Sequence, residues 1–219
     1  MCTAQAIRPC VRMALLSGPT PGCPLPADFS EREYAEYAAL PRRRQPEWLA
    51  SRLALELAYH RLIGSCCRHT EVGHDAAGQP RIVGDERIHC SLAHSDGWGL
   101  GAVSTGPVGA DLEPLGRYNE AFAARVADPA EIAAVRRAGL PAHEAPTVLW
   151  TLKEAALKAT RQGLRIHPRH AVIVSRVAHA WLVGIRHPGG GTSHWRVRAF
   201  RGGGLVVSVA VPAASQVRH

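Results

Sequence analysis

Four residues carry the chemistry of this 219-residue chain. Asp111 and Glu113 stand two apart in Val108-Gly109-Ala110-Asp111-Leu112-Glu113. On a strand, residues i and i+2 share a face, so both carboxylates point the same way. Like charges side by side repel unless a cation sits between them, and hard oxygen donors on one face suit Mg²⁺. Glu154 and Lys158 stand four apart in Trp150-Thr151-Leu152-Lys153-Glu154-Ala155-Ala156-Leu157-Lys158. On a helix they are neighbours. Read separately, the strand pair is two solvated acids and the helix pair an exposed ion pair worth a few tenths of a kcal/mol. Read together, three carboxylates and an ammonium describe a metal–phosphate site. The metal would neutralise a pyrophosphate, and the lysine would stabilise charge on the leaving group.

The elements that must position these residues follow from local signals. The helix is expected from about Pro146 to Gln162, with Gly163 as its stop. Leu149, Leu152, Ala156 and Ala159 form its apolar face, and Trp150, Glu154, Lys158 and Arg161 the opposite one. A preceding helix starts at Asp128-Pro129-Ala130-Glu131, a capping box with proline in the first turn, and stops at Gly139. Strands are expected at about 98–105 and 108–113, separated by the Thr105-Gly106-Pro107 break. Four more are expected at His170–Ser175, Ala178–Val183, Trp195–Phe200 and Leu205–Val211. Upstream, 46–63 reads as a helix, 17–30 as a Pro/Gly loop and 64–88 as turns. This order argues for an α+β fold rather than a doubly wound parallel sheet. Gly-Leu-Gly-Ala-Val-Ser at 99–104 loosely echoes Gly-Leu-Val-Val-Ser-Val at 204–209.

Gly109-Ala110-Asp111-Leu112-Glu113, followed about forty residues later by Trp150-Thr151-Leu152-Lys153-Glu154-Ala155-Ala156-Leu157-Lys158, resembles the paired signature of the phosphopantetheinyl transferases. Ser91-Leu92-Ala93-His94-Ser95 resembles the family's Ser-His-Ser/Thr motif. Arg44 to Arg52, around Glu47-Trp48-Leu49-Ala50-Ser51, is similar to an arginine segment of the siderophore-associated branch. Gly78-Gln79-Pro80 stands where many members carry Gly-Lys-Pro. The similarity runs from about residue 40 to the C-terminus. The chain departs from the pattern at Ala93 for serine, Ser51 for glycine, Ala110 for a β-branched residue and Gln79 for a cation. Arg81 is a candidate substitute for the last.

The resemblance implies a magnesium-dependent enzyme, with Mn²⁺ as the alternative ion. It would transfer the 4'-phosphopantetheine arm of coenzyme A to a serine of an apo carrier protein. Asp111, Glu113 and Glu154 would hold the metal. Asp111, Glu154 and Lys158 would be catalytic, with Glu154 or a metal-bound water taking the serine proton. Arg44, Arg52, Arg81, His94 and Lys158 would grip the nucleotide phosphates, for which the arginine fork is suited. The larger, surfactin-type branch implies a monomer of two similar α+β halves in pseudo-twofold relation, with the active site at their interface. The halves would be 1–105, the phosphate grip, and 106–219, the metal motif and lysine helix. Polyketide, nonribosomal-peptide or siderophore carriers are the expected class of acceptor.

Composition agrees and narrows the alternatives. The net charge is +8, which favours an anionic partner such as an acidic acyl or peptidyl carrier protein. Only 5% of residues are aromatic, so stacking platforms for a nucleic acid at Arg42-Arg43-Arg44 are not evident, and nucleic acid is not the expected partner. A basic nucleic-acid binder and a non-catalytic coenzyme A or carrier-binding module are the competing readings. No apolar run approaches the ~20 residues of a membrane span. Met13–Leu16 after Arg8 and Arg12 is too short for a signal core, so a cytoplasmic protein with reduced cysteines is expected. Cys66, Cys67, His69 and His74 fit no standard zinc spacing. The chain holds only two lysines, Lys153 and Lys158, which hints that their helix needs an ammonium.

Overall fold

The computed structural model describes residues 10–65, 69–162 and 165–213. Two antiparallel sheets, each carrying one long helix, meet edge to edge. The first has strand order β1-β5-β4, from β1 (Val11–Ser17), β4 (His89–Ser95) and β5 (Trp98–Ser104). The helix α2 (Gln45–Ile63) packs on it, burying Ala54, Leu55 and Ala58 against Ala14 and Val103. The second sheet has order β6-β10-β9-β8-β7. Its strands are β6 (Gly109–Pro114), β7 (Ala171–Val177), β8 (Ala180–Arg186), β9 (Thr192–Gly202) and β10 (Leu205–Pro212). The helix α5 (Ala145–Ala159) lies on this sheet, with Leu149, Leu152 and Ala156 packed among Val183, Ile185, Val197 and Val206.

Segregated helices on antiparallel sheets make this an α+β architecture, as the element order implied. The break at Thr105-Gly106-Pro107 does not close a hairpin. It carries the chain from the first sheet into the second, since β5 pairs with β1 and β4 while β6 pairs with β10. The two sheets adjoin along β4 and β6, where Ala110 N–H donates to Ser91 Oγ at 2.9 Å. Ala93 and Leu100 from one side and Ala110, Leu112 and Val207 from the other share a core across this seam.

Besides β4 and a short hairpin within 64–88, one strand and two helices lie outside the sequence expectations. They are β1, α1 (Glu31–Ala39) and α3 (Glu120–Val126). The signals for the helices were present. Ser30 and Glu33 form a capping box for α1, and Asn119 caps α3 through Phe122 N–H. The short strands β2 (Val72–His74) and β3 (Pro80–Ile82) form a hairpin within the turn-rich 64–88 segment. α4 (Pro129–Arg137) begins at the expected capping box, and Glu131 Oε2 accepts Asp128 N–H at 2.9 Å. α5 is shorter than expected, ending at Ala159 with Thr160 as its cap. The expected stop at Gly163 and the pair Cys66 and Cys67 lie outside the described residues. Among the described residues, no helix is long and apolar enough to cross a membrane.

Candidate functional site

Close approach of α5 to β6 builds the site. A Cβ on Gly109 would stand 2.0 Å from Ala155 O and 2.4 Å from Ala159 N, so only glycine permits this contact. Residues 109, 111 and 113 share one face of the strand. Asp111 and Glu113 therefore lie under the helix stretch that carries Glu154 and Lys158. The intervening Ala110 and Leu112 turn into the core between the sheets.

The helix face that sequence spacing marked as exposed is largely covered. Glu154 is only 6% exposed. Lys158 Nζ does not serve Glu154; it pairs with Asp111 Oδ1 at 2.8 Å. Two carboxylate oxygens, Asp111 Oδ2 and Glu154 Oε1, are buried without a hydrogen-bond partner. Glu113 is held more fully. Ser95 Oγ donates to its Oε2 at 2.7 Å, and Tyr118 O–H to its Oε1 at 2.9 Å. Arg117 Nε stands 3.3 Å from Oε2.

Electrostatics follow from that crowding. Burial, reinforced by the charges of Asp111 and Glu113 against that of Lys158, raises Glu154 to about 7. Burial also holds Asp111 above the usual carboxylate range despite Lys158. For Lys158, burial opposes the ammonium, but Asp111, Glu154 and Glu113 outweigh it and raise its pKa. A proton-accepting carboxyl poised near neutrality is a recurrent property of catalytic acids and bases.

The carboxylates share one neighbourhood without closing on one point. Among the described residues, no group of three or more His, Cys, Asp or Glu side chains is already arranged around a metal position. Three anions facing a single ammonium repel, so each turns to its own donor where one exists. The donor set still fits a divalent cation: hard oxygens, two of them buried and lacking partners.

A cleft of about 280 Å³ opens beside these residues, lined in part by Glu154, Lys158, Arg161, Gln79 and His89. Arg161 and His89 were not among the residues expected to form the site. Nor were Ser95 and Tyr118 assigned roles, although Ser95 belongs to the quoted serine–histidine motif. Tyr118 has no motif to announce it.

The expected phosphate grip is dispersed. His94 on β4 is 37% exposed at its side chain, and its Nδ1 lies 3.2 Å from Glu47 Oε2. Burial lowers its pKa. Arg44 is exposed in the turn before α2, and its charge is felt at His94. Arg81 follows Pro80 on β3, and Pro80 lines the cleft. Arg52 departs from expectation. It is 5% exposed, its guanidinium lies 3.6 Å over the Trp48 ring, and Nη2 pairs with Glu36 at 2.7 Å. Burial lowers its pKa to about 10. It is a core guanidinium between α1 and α2 and does not line the cleft. The two lysines also separate. Lys153 is fully buried, pairs with Glu131 Oε1 at 2.9 Å and donates to Val126 O at 2.8 Å. Only Lys158 faces the cleft. His69 is held between Glu33 and Glu56, at 2.8 and 2.9 Å, in a clamp separate from the cleft.

Comparison with known proteins bears on the same residues. The family model described as "4'-phosphopantetheinyl transferase superfamily" matches residues 107–210. The chain is 33% identical over 88 residues to the 4'-phosphopantetheinyl transferase psf-1 of Bacillus pumilus, covering 40% of this chain and 38% of that one. It is 35% identical over 84 residues to a holo-[acyl-carrier-protein] synthase of Geobacillus kaustophilus, covering 34% of this chain and 65% of that protein. A solved holo-(acyl-carrier-protein) synthase from Bacillus anthracis, in complex with CoA (3',5'-ADP), overlaps 43% of this chain and 92% of its own. That overlap has 18% identity and a TM-score of 0.35, too slight to carry weight. The matched stretch, just under half of the chain, is similar to that superfamily and carries Asp111, Glu113, Glu154 and Lys158, while the chain spans only about two fifths of the length of the Bacillus pumilus relative.

Proposed function

We propose that the protein transfers the 4'-phosphopantetheine arm of coenzyme A to a serine hydroxyl of a carrier protein. The observation that carries this reading is the meeting of β6 and α5, which brings Asp111 to Lys158 and seats Glu154 and Lys158 in the wall of a cleft.

Asp111, Glu113 and Glu154 would hold Mg²⁺, or Mn²⁺, which when bound neutralises charge on the coenzyme A pyrophosphate. Glu154, with a pKa near 7 and a free buried oxygen, accepts the serine proton. The serine oxygen bonds to the β-phosphorus as the bond to the bridging oxygen breaks, and adenosine 3',5'-bisphosphate leaves. Lys158, charged throughout, stabilises the departing phosphate. Ser95 and Tyr118 fix the orientation of Glu113. His94, Arg44 and Arg81 sit on the first half's side and supply charge for the nucleotide phosphates.

The two sheets with their helices supply the two halves, 1–105 and 106–219, of a monomer. Their pseudo-twofold relation rests on one likeness. Gly99 and Gly101 let α2 approach β5, as Gly109 lets α5 approach β6. The +8 charge steers an acidic carrier protein of a polyketide, nonribosomal-peptide or siderophore system toward the cleft from the cytoplasm.

The test mixes protein, coenzyme A, Mg²⁺ and several apo carrier proteins, and reads carrier mass. Addition of one phosphopantetheine is expected, with loss in Asp111→Ala and Lys158→Ala variants that remain folded. An unmodified carrier in every case removes the reading.

A further inference from the structure

We propose that Arg161 binds a phosphate group of the nucleotide co-substrate, giving up Asp75 to do so; this rests on the transferase reading above. Arg161 lies just beyond α5 with φ +60°, a backbone region that glycine enters freely and side-chain-bearing residues seldom occupy. An arginine placed there keeps an unfavourable conformation for the sake of its side chain. That side chain is on the wall of the cleft, next to Lys158 and Glu154 and facing Gln79.

Arg161 adds a second permanent cation to the cleft wall beside Lys158. Lys158 is already paired with Asp111, and the neighbouring charges are carboxylates. Arg161 Nη2 bonds Asp75 Oδ2 at 2.5 Å, and its side chain remains 46% exposed. Asp75 belongs to the turn of the β2–β3 hairpin. Its Oδ1 accepts the Ala77 and Gln79 N–H groups at 2.9 and 2.8 Å. The turn is thus held by one oxygen of Asp75 while the other occupies the guanidinium. A phosphate offers the fork two oxygens and more charge than the single Asp75 oxygen, so it can replace that contact while Oδ1 still holds the turn. Arg165 Nη2, which donates to Ala77 O at 3.2 Å, keeps the hairpin beside the helix end during that exchange.

The test measures calorimetric binding of coenzyme A and dephospho-coenzyme A to the full chain and to Arg161→Gln, Arg161→Gly and Asp75→Asn. Loss of one charge-assisted phosphate contact should weaken coenzyme A binding about ten- to a hundredfold in both arginine variants. Arg161→Gly should keep the wild-type melting temperature, because relief of the backbone compensates for the lost ion pair. Asp75→Asn should bind at least as tightly as wild type. If the Arg161→Gln loss vanishes with dephospho-coenzyme A, the group bound is the ribose phosphate; if it persists, the pyrophosphate. Unchanged affinity in Arg161→Gln overturns the proposal. So does equal weakening in Asp75→Asn, which would make the pair a structural latch. Wild-type protein that binds no coenzyme A removes the transferase reading instead.

Discussion

Lys158 reaches from α5 to Asp111 on β6, at 2.8 Å, and leaves Glu154, four residues earlier on its own helix, without a hydrogen-bonded cation. Helix spacing alone pairs Glu154 with Lys158. The close seating of the helix on the strand breaks that pairing and concentrates negative charge in a covered space.

Glu154→Gln should therefore lose transfer and gain stability. The folded pKa, near 7, lies above the ordinary 4.5. A carboxyl raised in this way costs nothing below pH 4.5, and its penalty grows as pH rises through 7. At pH 8 the penalty approaches about 3 kcal/mol, and relief of part of it raises Tm by several degrees in a chain of this size. Thermal unfolding from pH 5 to 8 should show the wild type falling more steeply than the variant. Mg²⁺ should raise the melting temperature of the wild type much more than that of the variant. Parallel pH curves would contradict the burial argument.

Lys153 calls for the opposite expectation. It is buried with Glu131, which also accepts Ile173 N–H at 2.8 Å. Lys153→Met strands a buried carboxylate and should destabilise the protein by roughly 3–5 kcal/mol. The double variant with Glu131→Gln should recover a substantial part of that loss. Urea unfolding of the three proteins checks both statements, and a near-neutral single variant would refute them.

These two lysines show where sequence reading stops. Their identity and clustering were visible, as were the strand carboxylates, the capping box at Asp128 and the turn to a β-rich C-terminus. Lys158 was assigned to the site from the sequence; that it pairs with Asp111 rather than with Glu154, and that Lys153 is buried against Glu131, was not legible there. Those pairings depend on how closely α5 approaches β6, which Gly109 permits through a contact with Ala155, 46 residues away. Arg52 was misplaced for a similar reason. Its neighbours in sequence look like a phosphate grip, while Glu36 and Trp48 turn it inward. Arg161 was read as a face of the helix, and its cleft position follows from a left-handed residue that no periodicity marks.

His69 should make the packing of α1 on α2 sensitive to alkali. Its ring stacks on Phe29 with centroids 4.1 Å apart, and its two nitrogens meet Glu33 and Glu56. Burial opposes the charged ring, but the hydrogen bonds to both carboxylates prevail and raise its pKa above 6.5. A raised histidine contributes stability that is complete below pH 6.5 and is lost as pH climbs through the folded value. His69→Gln should be less stable than wild type at pH 6, and the gap should narrow by pH 9. A gap that is constant with pH would mean the ring is held neutral.

Gly109→Ala tests the seam on which the site depends. The new Cβ would meet Ala155 O and Ala159 N, both backbone atoms that cannot rotate aside. The helix must withdraw from β6 by roughly 1 Å or more, opening the packed interior beneath it. Overpacking against backbone costs about 3 kcal/mol or more. The same shift carries Lys158 away from Asp111, so transfer should fall more than the folded fraction does. Gly202→Ala is the matched control, since nothing lies within 4 Å of its Cβ position. It should stay within about 0.5 kcal/mol of wild type. Chemical denaturation gives the stabilities, and carrier modification per folded molecule gives the activity. A fully stable and active Gly109→Ala protein would show that α5 does not rest on β6 at this residue, and the arrangement of Asp111, Glu154 and Lys158 would lose its foundation.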